Sequence, residues 1–303
     1  MSRFLYIADT HLGAHPMGYF QQPAYPERLP ELLAALDACI ADLGGVDFIL
    51  HGGDMLDALT PDNLRAAARL FRLRAPLYLC LGNHDLTAAN ARATWLQAAP
   101  HLFATATPNY SIATPDCAVH VVTTHWCEQP YYWREELAER LLDDESAWLE
   151  QAIAAHPQPV QLIVTHSPVF GLPPEQTGEA QPIHPPRDAF RDQLLGLVSR
   201  HPAVRCVLGA HNHLNLHVVR NGVHFVTASS FVEAPFECKL FEVSATELRM
   251  TTLPLAARAA FDWSYDFDKT FVQGRAGDRS LHALFNQQPC QERIDKEIKR
   301  GTE

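Results

Sequence analysis

The sequence predicts an α/β fold in which short buried strands alternate with amphipathic helices. Apolar runs of strand length occur at residues 3–8, 46–50, 76–81, 160–165 and 203–208. Segments with apolar residues at helical spacing separate them, at 29–43, 64–73, 147–155 and 190–198. This alternation is typical of a layered sheet, in which the carboxyl ends of the strands gather the ligand-binding loops on one rim.

Each of the first three predicted strands leads into a short polar motif. The motifs are Asp9-Thr10-His11 after the first strand, Gly53-Asp54 after the second and Gly82-Asn83-His84-Asp85 after the third. Because they follow strands, we expect their side chains to meet on one rim of the sheet.

The fourth and fifth predicted strands are also followed by polar motifs, and predicted hairpins come after them in the sequence. His166 follows the fourth predicted strand, and His211-Asn212-His213 follows the fifth. Asn221-Gly222 is a strong two-residue hairpin signal between apolar segments at 216–220 and 223–227. A second strand pair is predicted at 238–243 and 247–253, so the sheet should end in antiparallel strands.

The chain beyond these strands departs from the α/β pattern. Aromatic residues recur at every second position from Phe261 to Phe267, and a final short helix would pair Glu292 with Lys296. We therefore divide the chain into one main domain at residues 1–255 and a C-terminal extension at 256–303. The extension is expected to pack on the core or on a second subunit, which would make the protein a homo-oligomer.

Composition argues against several classes of protein. The 303 residues are 47% hydrophobic, enough to bury one large core, and the formal net charge of −11 disfavours binding to nucleic acid. No apolar run approaches the roughly 20 residues of a membrane span, and no charged-then-apolar leader opens the sequence. The seven cysteines are irregularly spaced, as expected of free thiols in a reducing compartment. We therefore expect a soluble, cytoplasmic protein.

Two segments interrupt the alternation and are predicted to be lids over the ligand site. Residues 171–187 contain five prolines and two glycines, so they should form a loop without regular pairing. Residues 126–145 combine an acidic cluster with Trp126, Tyr131, Tyr132 and Trp133. These aromatic side chains could stack on a nucleobase, although core packing or a lid is the simpler interpretation.

The polar motifs supply ligands for metal ions. They offer oxygen and imidazole groups without a thiolate: Asp9, Asp54, Asn83, His11, His166, His211 and His213. This mixture suits manganese, iron or zinc better than calcium or magnesium. Two metal ions about 4 Å apart can bind both a hydroxide nucleophile and the phosphoryl oxygens of an in-line displacement. The ligand set therefore indicates a two-metal hydrolytic centre.

The ordered motifs resemble those of the calcineurin-like metallophosphoesterase superfamily. The likeness spans residues 5–213 and consists of Asp-x-His, Gly-Asp, Gly-Asn-His-Asp, His and Gly-x-His-x-His in that order. It implies a layered sandwich of two mixed sheets flanked by helices, with residues 1–255 as the catalytic domain. It also implies that Asp9, His11 and His213 hold one metal ion, that Asn83, His166 and His211 hold the other, and that Asp54 bridges the two.

The resemblance further implies catalytic roles for His84 and Asp85. His84 would contact the phosphate and protonate the leaving alkoxide, a role that general acid catalysis needs in any case. Asp85 would orient the ring of His84.

Two positions of the motif set do not follow directly from the family pattern. His125 and His166 both follow a threonine, and we choose His166 as the ligand because a helix, a strand and then His-Ser-Pro is the family's local context. The family usually has Gly-His-x-His near the end, whereas here Ala210 separates Gly209 from His211. A residue as small as alanine should still allow close backbone approach.

The resemblance favours a small phosphodiester as the substrate. Phosphodiesterases of the cyclic-nucleotide and glycerophosphodiester type share the whole motif set at a similar length. The opening Asp9-Thr10-His11-Leu12-Gly13 also resembles the nuclease subunit of double-strand-break repair complexes, but no basic patch or coiled-coil attachment is evident. Phosphomonoesterase activity is a further alternative. An inactive scaffold should have lost ligands, and every expected ligand is present.

The other histidines stand apart from the motifs. Among the 16 in the chain, His15, His125 and His184 could line the mouth of the site, but spacing alone does not assign them a role. The rest, His51 included, are interpreted as structural or solvated.

Overall fold

Two mixed β-sheets form the centre of the fold. They are seen in a computed structural model that describes residues 1–15, 19–134 and 138–285. The strands are β1 (Ser2–Ile7), β2 (Phe48–His51), β3 (Leu77–Leu79), β4 (Tyr110–Ala113), β5 (Cys117–Val121), β6 (Val160–Val164), β7 (Val204–Gly209), β8 (Leu216–Arg220), β9 (Val223–Thr227), β10 (Glu237–Ser244), β11 (Glu247–Pro254) and β12 (Ser280–Leu284).

The sheets have six strands each and face one another across a shared core. Their strand orders are β12-β11-β10-β1-β2-β3 and β4-β5-β6-β7-β9-β8. The strands β1, β2 and β3 run parallel, as do β5, β6, β7 and β9, so the ends of several strands point to one rim. Tyr6 of β1 reaches between the sheets, where its hydroxyl donates to the carbonyl of Gly209 at 3.0 Å.

Helices flank the sheets. They are α1 (Leu29–Asp42), α2 (Pro61–Leu70), α3 (Ala91–Ala98), α4 (Asp143–Ala155), α5 (Pro174–Thr177), α6 (Asp188–Arg200) and α7 (Ala276–Arg279). Short 3-10 turns occur at Pro26–Arg28, His84–Leu86, Pro100–Leu102, Ala256–Arg258 and Phe267–Gln273. In α2, Thr60 caps the first turn by accepting from the amide of Asn63, and Pro61 follows at a position that needs no amide donor. Such end signals set the helix boundaries.

The predicted fold class is confirmed, and the strands and helices predicted within the described residues are present. The helix expected at 29–43 is α1, and the strand expected at 160–165 is β6. The Asn221-Gly222 turn joins β8 and β9, with positive φ angles of 53° and 76° at its two residues, as a tight hairpin requires. The strands β10 and β11 form the second antiparallel pair.

Three strands and three helices were not predicted. These are β4, β5, β12, α3, α5 and α7, of which α5 lies in the segment 171–187 that was expected to be a loop. The strand β12 comes from the C-terminal extension and pairs with β11, so part of the extension completes the first sheet. The helix predicted around Glu292 and Lys296 lies outside the described residues. Within the described ranges, no helix has the length and apolar character needed to cross a bilayer.

Candidate metal centre

Loops at the ends of five strands bring all seven predicted ligands to one rim. Asp9 and His11 follow β1, Asp54 follows β2, Asn83 follows β3, His166 follows β6, and His211 and His213 follow β7. The first four come from one sheet and the last three from the other. All are buried except His211, which is partly exposed. The site therefore lies where the two sheets meet.

The ligands form two clusters. In the first, Nε2 of His11 lies 3.1 Å from Nε2 of His213, which is 3.7 Å from Oδ1 of Asp9. In each cluster, the potential ligand atoms lie within 4.8 Å of one another. The second cluster contains Asp54, His166 and His211, and the amide oxygen of Asn83 lies 3.1 Å from Nδ1 of His211.

Asp54 faces both clusters. Its Oδ2 lies 3.1 Å from Nε2 of His166 and 3.9 Å from Nε2 of His11. Its Oδ1 accepts the backbone amide of His84 at 2.8 Å, which fixes the carboxylate in this position. A carboxylate held between two ligand clusters is suited to bridging two cations.

Unsatisfied atoms in the site fit metal ligation. Buried polar atoms are normally hydrogen-bonded, yet Oδ2 of Asp9 has no hydrogen-bond partner, and Nε2 of His166 faces the Asp54 carboxylate at 3.1 Å without hydrogen-bond geometry. Two imidazole nitrogens 3.1 Å apart also suit ligands of one ion with bonds of roughly 2.1 Å. The donor set present here therefore fits two metal ions.

Hydrogen bonds on the far side of two imidazoles orient them as ligands. Nδ1 of His166 lies 2.8 Å from the carbonyl of Gly52, and Nδ1 of His213 lies 2.6 Å from Oε1 of Glu233. Both rings thus turn Nε2 toward the clusters, the arrangement common around metal-bound histidine. The other oxygen of Glu233 accepts the amides of Gln21 and Gln22.

The ring of His84 is held by Asp57. Nδ1 of His84 lies 2.7 Å from the backbone carbonyl of Asp57 and 3.7 Å from its Oδ1. This differs from the expectation that Asp85 orients the ring. The carboxylate of Asp85 instead accepts the amides of Gly82, Met55 and Leu56, because it is fully buried and backbone donors surround it. Asp85 therefore shapes the loop that carries His84.

The backbone is strained at the ligands. Five of the seven have positive φ: Asp9 (53°), His11 (40°), Asp54 (53°), His211 (70°) and His213 (59°). Non-glycine residues rarely adopt this region, and such strain concentrates at functional sites. Gly82 allows the loops to approach, since a Cβ there would overlap the carboxylate and backbone nitrogen of Asp54.

Burial and charge set the protonation of the ligands. Burial opposes ionisation of Asp54, but His166 and His84 outweigh it and hold the pKa of Asp54 well below its usual value. Burial likewise opposes protonation of His166, yet Asp54 raises the pKa of His166 to about 9. Burial lowers the pKa of His211 to about 3. His166 must therefore release a proton before its Nε2 can act as a ligand.

A cavity of about 320 Å³ opens above the clusters. Besides metal-site residues and His84, its wall contains Tyr19, Gln21, Trp126, Trp133, His184 and Asn212. Both predicted lid segments contribute to this wall. No sequence motif singles out Tyr19, whose hydroxyl donates to Oδ1 of Asp57 at 2.6 Å.

The remaining candidate histidines have different positions. His184 lines the cavity, whereas His15 is exposed. His125 is buried elsewhere, where Nε2 lies 2.8 Å from Oε1 of Glu145 and Nδ1 accepts the amide of Tyr131. His51 is buried beside Thr10, with Nε2 and Oγ1 3.0 Å apart. Of the two Thr-His pairs, the structure brings only His166 to the clusters.

Comparisons with known proteins agree with this geometry. A sequence profile described as calcineurin-like phosphoesterase matches residues 2–215. A dimetal phosphatase from Danio rerio has a similar structure, with a TM-score of 0.67 and 13% identity over 94% of this chain and 99% of that one. No curated protein gave a significant sequence match.

Two larger proteins contain a similar fold. A purple acid phosphatase from yellow lupin (Lupinus luteus) seeds has a TM-score of 0.59 and 13% identity over 86% of this chain and 52% of that one. A 5′-nucleotidase from Candida albicans has a TM-score of 0.55 and 13% identity over 89% of this chain and 56% of that one. At this identity, the likeness establishes a common fold.

Proposed function

This chain belongs to the calcineurin-like phosphoesterase family, and on that premise we propose that it hydrolyses a small phosphodiester. Membership makes the protein a metal-dependent phosphoesterase, and the diester is the part that we propose. The observation that carries the proposal is the pair of ligand clusters sharing Asp54 beneath a cavity that contains His84.

We assign the residues as follows. Asp9, His11 and His213 would hold one metal ion, Asn83, His166 and His211 the other, and Asp54 both. Manganese, iron or zinc suits these donors. When bound, the metal pair would supply Lewis acidity and a nucleophile at neutral pH. His84 would donate a proton to the leaving oxygen, with its ring oriented by Asp57.

The charge of the cavity wall supports a diester. A phosphodiester carries one negative charge, whereas a phosphomonoester carries nearly two at neutral pH. None of the described residues that line the cavity is Lys or Arg, so the metal ions alone would neutralise the substrate. A phosphomonoesterase is the second candidate, since proteins named as phosphatases share the fold.

A substrate panel tests this proposal. Protein loaded with manganese, iron or zinc would be assayed on monoesters, cyclic nucleotides, glycerophosphodiesters, pyrophosphates and single-stranded DNA. We expect the highest kcat/KM on a small diester. A wide preference for DNA or monoesters would refute the diester assignment, and no turnover of any phosphoester would refute the enzyme assignment.

The variant His84→Ala separates catalysis from metal binding. Because His84 is proposed to move a proton rather than to ligate, we expect kcat to fall about 10²–10⁴-fold while two metal ions stay bound. Metal content would be measured by elemental analysis after gel filtration. Unchanged kcat would remove His84 from the mechanism.

A further inference from the structure

Two aromatic side chains of the cavity wall contact the ring of His84. The ring centroid of His84 lies 5.0 Å from that of Trp133 and 5.6 Å from that of Tyr19. Trp133 belongs to the aromatic segment 126–133, to which metal ligation and proton transfer assign no role.

Hydrogen bonds hold both aromatic residues in place. The Tyr19 hydroxyl donates to Asp57 at 2.6 Å, and the backbone amide of Trp133 donates to the carbonyl of Leu86 at 2.8 Å. Asp57 also contacts His84 through its backbone carbonyl, and Leu86 lies in the same short turn as His84. A ligand ring would therefore meet a wall that is already ordered, which lowers the entropy cost of binding.

The charges around this wall restrict what it can bind. Neither Lys nor Arg lines the cavity within the described part of the chain. A neighbouring groove shares His184 and Asn212 with the cavity and adds the carboxylate of Glu139. A second phosphate or a carboxylate on the substrate would face this carboxylate and no Lys or Arg among the described lining residues.

We propose that Tyr19 and Trp133 form the subsite for the leaving-group arm and that this arm is an uncharged ring, such as an aryl or nucleoside group. The inference rests on the proposed function, because a proton donated by His84 places the leaving oxygen beside these two rings. Their faces offer stacking to a planar group, and neutral amides from Gln21 and Asn212 complete the wall.

Matched diesters test the subsite. Benzyl methyl phosphate and butyl methyl phosphate have leaving alcohols of similar acidity, so a difference in kcat/KM for release of the larger alcohol reports binding of the arm. We expect the wild type to prefer benzyl about tenfold, in line with stacking on an aromatic side chain. The 4-carboxybenzyl ester should lose that preference, because its arm carries a charge.

Variants of Trp133 test whether this residue causes the preference for the benzyl diester. Trp133→Leu should reduce the benzyl preference to near unity, mainly through KM, and Trp133→Phe should retain most of it. Trp263→Leu is the matched control, since Trp263 packs on Phe236 and does not line the cavity. Equal rates for both wild-type diesters, or an unchanged preference in Trp133→Leu, would overturn the subsite, as would fast hydrolysis of the carboxybenzyl ester.

Binding distinguishes this inference from the proposed function. If no diester is hydrolysed, the affinities of the benzyl and butyl esters for metal-loaded protein would be compared by calorimetry. Selective binding of the benzyl ester that is lost in Trp133→Leu would support the subsite and contradict only the diesterase proposal. Equal affinities would refute the subsite itself.

Discussion

Glu233 connects a proposed metal ligand, His213, to a wall of the cavity. Its buried carboxylate accepts from His213 through Oε1 and from the amides of Gln21 and Gln22 through Oε2. The same short stretch of chain carries Tyr19. A change at Glu233 should therefore affect both the metal site and the binding of substrate.

The variant Glu233→Gln is expected to weaken metal binding about 10–100-fold, because partners of metal-bound histidine contribute this much to affinity. KM should rise as well, since the loop at 19–22 loses a charged acceptor. Calorimetric titration with Mn²⁺ would measure the first effect.

Glu237→Gln is a matched control for this experiment. Glu237 is similarly buried, but its carboxylate bonds to Asn215 and Arg279. Loss of the Glu237 carboxylate should lower the free energy of unfolding and leave the affinity for Mn²⁺ near the wild-type value. Equal losses of affinity in both variants would mean that Glu233 has only a structural role.

Lys239 carries a buried charge that stability measurements should detect. Its Nζ donates to Oγ1 of Thr252, and burial lowers the pKa of Lys239 to about 8 from 10.5. Below pH 8 the folded state therefore bears a cost of about 3 kcal/mol at roughly 1.4 kcal/mol per pKa unit. Between about pH 8 and 10.5 the unfolded chain binds more protons, so this cost declines as the pH rises.

Replacing Lys239 with Met should therefore stabilise the protein. We expect a gain of about 1–3 kcal/mol at pH 7, after loss of the hydrogen bond to Thr252. The difference from wild type should shrink as the pH approaches 10.5. Urea unfolding at several pH values would measure it, and a gap that widened with pH would contradict the assignment.

The convergence of the proposed metal ligands could be predicted from sequence, but their hydrogen-bond partners could not. Each ligand follows a strand, and strand ends converge. Glu233 lies 20 residues beyond His213, and no spacing rule joins them. The family resemblance implied that Asp85 orients the ring of His84. In the short turn at 84–86 Asp85 points instead into buried backbone amides.

At the scale of elements, the β8–β9 hairpin depends on its turn. Gly222 has a φ of 76°, and no atom lies within 4 Å of the position that a Cβ would take. Gly222→Ala should therefore cost about 1 kcal/mol through backbone strain alone. Thermal or urea unfolding would measure this loss.

Gly277→Ala provides the control for the hairpin. Gly277 lies in α7, has open space around it, and does not adopt positive φ. Alanine there should be neutral or slightly stabilising. If both variants lost the same stability, the effect at Gly222 would not be due to its left-handed backbone.

The strands that were not predicted show where hydrophobic periodicity is an insufficient signal. The strand β5 is buried throughout but includes His120, whose two ring nitrogens lie 2.8 Å from Ser111 and from Gln161. Both ring nitrogens of His120 have partners inside the protein, so burying this polar side chain costs little free energy. A hydropathy pattern scores histidine as polar and therefore does not predict a buried strand here. The strand β12 lies at the edge of its sheet and pairs with β11. A long connection that contains two 3-10 turns and α7 separates these strands, so the local sequence does not predict their pairing.

At the scale of the whole molecule, the proposed metal centre lies between the two sheets. One sheet supplies Asp9, His11, Asp54 and Asn83, and the other supplies His166, His211 and His213. Without metal, the close carboxylates and imidazoles are held together by the fold alone. Metal binding should therefore stabilise the arrangement of the two sheets.

Removal of metal should lower the melting temperature. At a free concentration 100 times the dissociation constant, one metal ion contributes about 2.7 kcal/mol, which corresponds to roughly 4 °C for a chain of 303 residues. Calorimetry with and without a chelator would measure the shift. The melting temperature of the Asp54→Asn variant should change much less on chelation. A change identical to that of the wild type would indicate that metal binds elsewhere.

Trp126 and Trp133 also give the protein an optical reporter. The ring of Trp126 lies 5.7 Å from that of His211 and 5.8 Å from that of His166, and Trp133 contacts His84. Two of the five indoles in the chain thus adjoin the centre. Because open-shell ions quench nearby indole fluorescence, emission should dim as Mn²⁺ or Co²⁺ loads and recover on chelation, so occupancy can be followed in real time without a label.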